Sequence, residues 1–540
     1  MKIEEQNLPS SSLFVQKYRN RDPFVSSLFD YHYKDEDMKQ RFMELTKRSF
    51  DRKALHTHLV NYQQTFTHNK LALEQIDKLK DPRSVFVVGG QQAGILTGPF
   101  YTISKAVTLV LEAREQEEKL GIPVIPLFWI AGEDHDWLEV NHIFIPGMKG
   151  PRKHTYKGSY NPGQPVSEQR LEYEAFVTWM EEAVKSYRET PFTRKVTGMI
   201  TKLASISSSM THFFGELMQW LFKEEGLVLL DANHIEMRKL EREIFQKIVE
   251  ENEELSSRLM KRISLYNTRG YDSPVKAQAD SAHFFYHTKF GRELLFRKGS
   301  GLFEGKKGQV QFTKEDLIQK IHRSPGKLSS NVATRPLVQE AVLPVLSFVA
   351  GPGEIKYWGL LQPLFHHLGY HMPPVLPRMH FSVVDRKGAR ILKEENLDPW
   401  KVIQHGTAKK KEELKKNAVE IDGICMAEEA ALKIKDIHAP LQEALSKVNP
   451  SHTSYGEKNY HIIVNEVKKL GEKITGLQEK KVQTSLHRLD FIEQSLFPAT
   501  NPQERVWSIY PVLNEYGESF IRDICQSGIT RNKNHKLIYL

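Results

Sequence analysis

The chain is poor in cysteine. Cys425 and Cys525 are the only two in 540 residues, too few for a disulfide framework or a thiolate metal site. Long apolar runs are also missing. A stretch such as Leu343–Ala350 is short and broken by Pro344, far below the roughly 20 residues of a membrane-spanning helix, so no membrane partner is expected. Met1–Ser12 shows no basic-then-apolar leader, which makes cytoplasm the expected location. Charge of one sign is not concentrated either. Lys plus Arg is 76 against 67 Asp plus Glu, a net charge of +9, and the basic residues are interleaved with acids. That pattern suits small anionic ligands better than nucleic acid. No internal repeat is visible. What is present is ordinary globular material, 40% hydrophobic and 26% charged, enough to exclude disorder as the main state. The length allows roughly two to four domains.

Texture along the chain predicts an α/β fold. Residues 1–80 read as helical. Ser84–Val88 is a short β-branched run, followed by Gly89-Gly-Gln-Gln-Ala-Gly94, a helix from about Tyr101 to Lys119 with Gly121 as its C-cap, and a second apolar strand at Val124–Ile130. Strand, glycine-rich loop, helix, strand is the pattern of a parallel βαβ unit. Further strands are expected at Leu227–Leu230 and Leu343–Val349. The expected domains are a Rossmann-like parallel-sheet core over 1–384, interrupted by a helical insertion (about 146–225) and a β-rich insertion (about 265–325). They continue with an α-helical antiparallel coiled-coil domain over 385–497 and a tail over 498–540 that returns to the core. Two Lys/Glu/Leu-rich arms, 410–447 and 458–496, flank the turn cluster Asn449–Gly456. In the second arm Val467, Leu470, Ile474 and Leu477 follow 3-4-3 spacing. The pair of arms reads either as a solvated hairpin or as a coiled coil that makes a homodimer.

In open parallel sheets ligands bind outside the carboxyl ends of the strands, and four strand ends here carry polar or glycine-rich loops. The first holds Gln91, Gln92, Thr97, Gly98 and Lys105. Its glycines serve a turn as well as a ligand cradle, whereas amides at a strand end are good ligand readers. The second, Ala131–Asn141, sets Asp134, His135 and Asp136 beside Asn141. Carboxylates next to an imidazole offer general acid–base chemistry, and no second His or Cys stands at zinc-ligand spacing, so no tightly bound metal is expected. The third contains Asn331 and Arg335, a guanidinium able to fork onto a carboxylate or phosphate. The fourth, Gly351-Pro-Gly353 to Tyr357, opens a helix with free N–H groups.

Four segments, starting at Gly89 (GGQQAGILTGPFYTISKA), Trp129 (WIAGEDHDWLEVNH), Leu328 (LSSNVATRPLVQ) and Phe348 (FVAGPGEIKYW), together with the helical C-terminal third, resemble the cysteine-adding enzymes of bacillithiol biosynthesis. The resemblance covers essentially the full length. It implies a Rossmann-type core with two connecting insertions, a dimerising coiled coil, and ligation of L-cysteine to glucosaminyl malate in the last step of that biosynthesis. On that reading Asp134, His135 and Asp136 receive the incoming amine and take its proton. Gln91, Gln92 and Thr97 hold one end of the ligand and Arg335 takes a malyl carboxylate, while Gly98, Asn141, Asn331, Gly351, Gly353 and Tyr357 complete the binding surface. The core layout is also similar to class I aminoacyl-tRNA synthetases, but their H-x-G-H signature is absent. A nucleotide- or sugar-binding scaffold with decayed catalysis is the competing reading.

Amide formation needs an energy source, and ATP/ADP, with Mg²⁺ carried in by the nucleotide, is the expected cofactor. A second nucleotide site is expected where Ser382, Val384, Asp385 and Arg386 begin a helix through a Ser-x-x-Asp capping box, with Asp490, Arg505 and Trp507 brought near by the returning hairpin.

Overall fold

Val85–Val88 alternates between two faces, and in the structure both faces are buried. The computed structural model describes residues 1–540 apart from Ser11, Lys149, Ser300 and Val419. Five strands form the central parallel sheet: β1 (Val85–Gln91), β2 (Val124–Ile130), β3 (Val228–Asp231), β4 (Val345–Ala350) and β5 (Val375–Pro377). Their order is β5-β4-β1-β2-β3, and every pairing is parallel. Val85, Val87 and Phe128 pack into one hydrophobic core, and Phe86, Val88, Leu127 and Trp129 into a second on the opposite face. A parallel sheet covered on both sides accounts for strands that are almost wholly apolar. The chain steps from β1 to β2 and β3 on one side, then returns to place β4 and β5 on the other. The reversal puts a topological switch point between β1 and β4.

Helix α1 (Tyr101–Leu120) follows β1 and ends at Gly121, whose φ of 63° supplies the left-handed cap. α2 (Arg335–Val342) precedes β4 and α3 (Pro352–Trp358) follows it. Gly89 and Gly90 answer first to sheet packing. A Cβ on Gly90 would lie 2.5 Å from the Trp129 carbonyl oxygen, and one on Gly89 3.0 Å from that of Val349. An antiparallel five-stranded sheet is built from Ser281–Thr288, Gly291–Lys298, Leu302–Gly305, Gln311–Thr313 and Leu328–Ser330. The chain termini meet: Lys2–Gln6 pairs antiparallel with His535–Tyr539.

The described residues divide into two compact units, Met1–Val383 with Glu504–Leu540, and Val384–Gln503. The second unit is helical. α4 (Arg386–Glu394) is capped by Asp385, which accepts from the Gly388 N–H at 2.6 Å. The Ser382–Asp385 capping box expected from sequence does not form. Ser382 is strand, its hydroxyl bonded to His535 Nε2 at 2.9 Å, and the residue directly before the helix is the one placed to reach the third N–H. α5 (Gly423–Val448) and α6 (Thr453–Glu479) form the antiparallel hairpin. Their seam uses Val464, Gly471 and Gln478 rather than Leu470 and Leu477, which are 61% and 53% exposed. The reason is backbone proximity: a Cβ on Gly471 would sit 2.3 Å from the Gly423 carbonyl oxygen. Among the described residues no helix is long and apolar enough to cross a membrane.

Candidate active site

The carboxyl ends of β1 and β4 open onto a cavity of about 560 Å³ in the first unit, at the switch point where the topology leaves a crevice. Gln91 and Gln92 reach it from β1, Asp134 from the loop after β2, Asn331 and Arg335 from the start of α2, and Gly351, Gly353 and Tyr357 from the start of α3. Arg505 lines it as well. Thus four loops far apart in sequence converge because their strands are neighbours.

The interior of this cavity is ionic. The Lys105 ammonium, 1% exposed, donates to the Gly90 carbonyl at 2.5 Å, to Gln91 Oε1 at 3.3 Å and to Glu354 Oε2 at 2.5 Å. Burial lowers its proton affinity and Glu354 opposes that. The same Glu354 oxygen accepts from the Gly351 N–H at 2.7 Å, tying the start of α3 to β1 through one carboxylate. Arg335 bonds the fully buried Glu133 at 3.1 Å through Nε and at 3.0 Å through Nη2. Arg378 grips buried Glu504 with both terminal nitrogens, at 2.7 and 2.8 Å, and His380 Nδ1 lies 2.7 Å from the same carboxylate. The Arg292 guanidinium carbon lies over Phe285, 3.8 Å from the ring centre, and the group donates to Ser329 Oγ and the Ser330 carbonyl.

Asp134 and His135 are driven apart electrostatically. Burial alone would raise the Asp134 carboxyl, but Arg292 at 3.5 Å, the Gln92 amide at 2.8 Å and Arg335 hold it below the ordinary carboxylate range. His135 is shifted down by burial and by Arg292, only partly offset by Asp134 and Asp136. At neutral pH the first is therefore an anion and the second a neutral imidazole able to take a proton. The His135 side chain, 38% exposed, stands beside the cavity lining with its ring edge toward Phe285, and Nδ1 carries no hydrogen bond. Tyr357, also at the cavity, is kept a neutral phenol by burial.

The other sequence-selected residues are placed as follows. Gly98 lines an adjoining cavity of about 420 Å³ that shares Gln91, Gln92 and Arg505 with the first. Thr97 is buried, left-handed at φ 67°, with an unpartnered hydroxyl. Asn141 is buried, its carbonyl accepting from the Tyr156 N–H, and Asp136 is exposed. Neither Thr97, Asp136 nor Asn141 lines the main cavity. Asn331 does, with its side-chain oxygen accepting from Ala333 and Thr334 N–H groups at the start of α2. The residues selected for a nucleotide fall in both units. In the first, Arg505 lies 5.9 Å over the Tyr101 ring and the Trp507 carbonyl accepts from the Phe100 N–H. In the second, Asp490 pairs with Lys411 at 2.6 Å, and Val384, Asp385 and Arg386 lead into α4.

Arg292 and Arg378 lie outside the four segments that mark the site in the sequence, whereas Tyr101 and Glu354 lie inside two of them. In all, five cations and three carboxylates line the cavity. Four of those cations are matched to Glu354, Asp134, Glu133 or Glu504. Arg505 has no carboxylate partner among the described residues. Such a cavity can hold an anion, orient an amine on Asp134, and accept a proton at His135.

Comparison with known proteins agrees with this layout. Residues 1–379 match the family described as bacillithiol biosynthesis BshC, N-terminal Rossmann-like domain, and residues 381–540 match the BshC C-terminal coiled-coil domain. Proteins named "Putative cysteine ligase BshC" from Bacillus cereus (strain Q1), Bacillus thuringiensis (strain Al Hakam) and Bacillus anthracis (strain A0248) are each 35% identical over 540 residues, the whole of both chains. With both parts of the chain matched and relatives aligned end to end, this protein belongs to the BshC family of bacillithiol biosynthesis.

Proposed function

We propose that this chain is an amide-forming ligase that joins the carboxyl of L-cysteine to the amine of glucosaminyl malate, the last step in making bacillithiol. The observation that carries the reading is one crevice that gathers Arg335 and an Arg505 without an ion-pair partner among the described residues, together with an ionised Asp134 and, beside its lining, a neutral His135. The malyl carboxylates bind Arg335 and Arg505, whose planar guanidinium forks match carboxylate geometry. Asp134 receives the incoming amine as an ammonium, and Gln91 and Gln92 fix the orientation through their amides. His135 takes one proton from that ammonium and so frees the nitrogen lone pair. As the nitrogen bonds to the activated cysteine carboxyl carbon, the carbon–oxygen bond to the leaving group breaks and the second proton on nitrogen departs to solvent.

Because an amide does not form spontaneously from free acid and amine in water, the carboxyl requires activation. ATP, with its own Mg²⁺, is the energy source in this proposal. Arg505→Ala is expected to weaken glucosaminyl malate binding at least tenfold in calorimetry while cysteine binding is unchanged. Unaltered glucosaminyl malate affinity would remove Arg505 from the site.

A homodimer through the helical hairpin belongs to the same proposal. Met426, Ile437 and Leu441 on α5 and Leu470 and Leu477 on α6 are each more than half exposed. Helical spacing places these two sets on one side of the antiparallel hairpin. A second copy is the occupant that would cover them. Leu470→Lys/Leu477→Lys puts charge on that side without touching the seam, and sedimentation should then show a monomer where the wild type is a dimer. An unchanged oligomer would remove the hairpin as the interface.

A further inference from the structure

Outside the crevice the first unit carries a second cavity, of about 630 Å³, lined by Arg19, Asn20, Arg21, Tyr33, Pro377, Arg531, Asn532 and Lys533. That volume lies within the roughly 300–1,000 Å³ of small-molecule sites. Its lining holds four cations and no carboxylate. Arg531 is paired with Glu112. Among the described residues, Arg19 makes two long hydrogen bonds, to the Leu8 carbonyl at 3.4 Å and to Asn7 Oδ1 at 3.5 Å. Arg21 and Lys533 have no carboxylate partner among the described residues. A single basic side chain would be unremarkable, but cations gathered around one concavity repel one another unless an anion joins them.

The backbone gives an independent indication. Arg21 (φ 57°) and Tyr33 (φ 51°) are among only eight non-glycine residues with positive φ among the described residues, and both border this cavity. Non-glycine residues in the left-handed region are energetically costly and gather at binding sites, where surrounding structure holds them in place. The Arg21 backbone turns the chain directly after the helix Leu13–Arg19, so that Arg19 and Arg21 both face the cavity. The amide of Asn20 adds a donor suited to phosphate oxygens, whereas that of Asn532 already donates to Glu5 at 2.8 Å.

From this arrangement we infer that the cavity binds a phosphoryl group, as inorganic phosphate or as the phosphate of a small phosphorylated metabolite, held by Arg19, Arg21 and Lys533. The site is separate from the proposed ligase crevice and does not depend on that reading. Arg21 and Lys533 are exposed, so Arg21→Ala/Lys533→Ala should fold with an unchanged melting temperature. Calorimetry at low ionic strength, with inorganic phosphate in one arm and glucose 6-phosphate in the other, tests the inference on the full chain. Wild type should bind at least one of them, and the double variant should bind it at least tenfold more weakly, whereas Arg505→Ala should retain that binding. Tighter binding of the sugar phosphate would identify a metabolite, and equal binding the free ion. Absence of binding by wild type, or equal affinity in wild type and the double variant, would overturn the site.

Discussion

His135→Ala is expected to slow amide formation about a hundred- to ten-thousand-fold, the usual contribution of a positioned general base. The melting temperature should be little altered, because the side chain is 38% exposed and Nδ1 holds no hydrogen bond that would be lost. The pH profile provides the sharper signature. Burial and Arg292 hold the imidazole below its ordinary 6.5, so the neutral, proton-accepting form dominates at neutral pH and disappears as the pH falls through that lowered value. The wild-type rate should therefore climb on the acid side and level off before pH 7, and the variant should lose that limb. Rates against pH with purified protein provide the check, and an unchanged limb in the variant would assign the proton to another group.

Glu504→Ala is expected to cost about 3–5 kcal/mol of stability, the range for removing one partner of a buried ion pair. Both side chains of the pair are 3% exposed, and Glu504 receives two nitrogens of Arg378 along with His380. Its removal strands a guanidinium inside the protein. Burial works against the Glu504 charge, but Arg378 and His380 more than offset it and hold the carboxyl well below 4.5. A carboxyl depressed in the folded state binds fewer protons than in the unfolded chain. Its stabilisation is therefore fully present above about pH 4.5 and is lost as the pH falls toward the folded-state value. Denaturant titration at pH 7 should show the difference in full, and the gap between wild type and variant should narrow in acid. Glu504 also fastens the C-terminal segment to the end of β5 through Arg378, so its loss should loosen residues 504–540 in hydrogen exchange. A variant as stable as wild type at pH 7 would mean that the pair is not buried as described.

What could be read from sequence follows from how local each signal is. β1 to β4 announce themselves as short apolar runs bounded by glycine or acidic loops, and Gly121 ends its helix as such a residue should. Because parallel strands place their carboxyl ends together, those local signals were enough to gather Gln91, Gln92, Asp134, Arg335 and Gly351 at one crevice. β5 carries no such signal because it is three residues long and closely preceded by Pro373 and Pro374. Arg292 and Arg378 carry none either, because a guanidinium in a strand or loop has no spacing signature, and its role is created by Asp134 or Glu504 arriving from elsewhere in the chain. In the hairpin seam Ile474 stands against Gly423 as its spacing predicts, but Leu470 and Leu477 give way to Gly471 and Gln478 for a related reason. Apolar spacing favoured Leu470 and passed over Gly471, yet close helix contact demands the residue without a side chain. Ser382 shows the converse: a capping pattern can be present in sequence while its serine is committed to a strand.

The central claim is that the β1–β4 crevice makes the cysteine amide. It is tested most directly by incubating purified protein with L-cysteine, glucosaminyl malate and ATP and following the mixture by mass spectrometry. Bacillithiol should accumulate with stoichiometric AMP or ADP, and His135→Ala should abolish nearly all of it. Binding of both substrates without any product would contradict the claim and leave the protein a scaffold of the pathway.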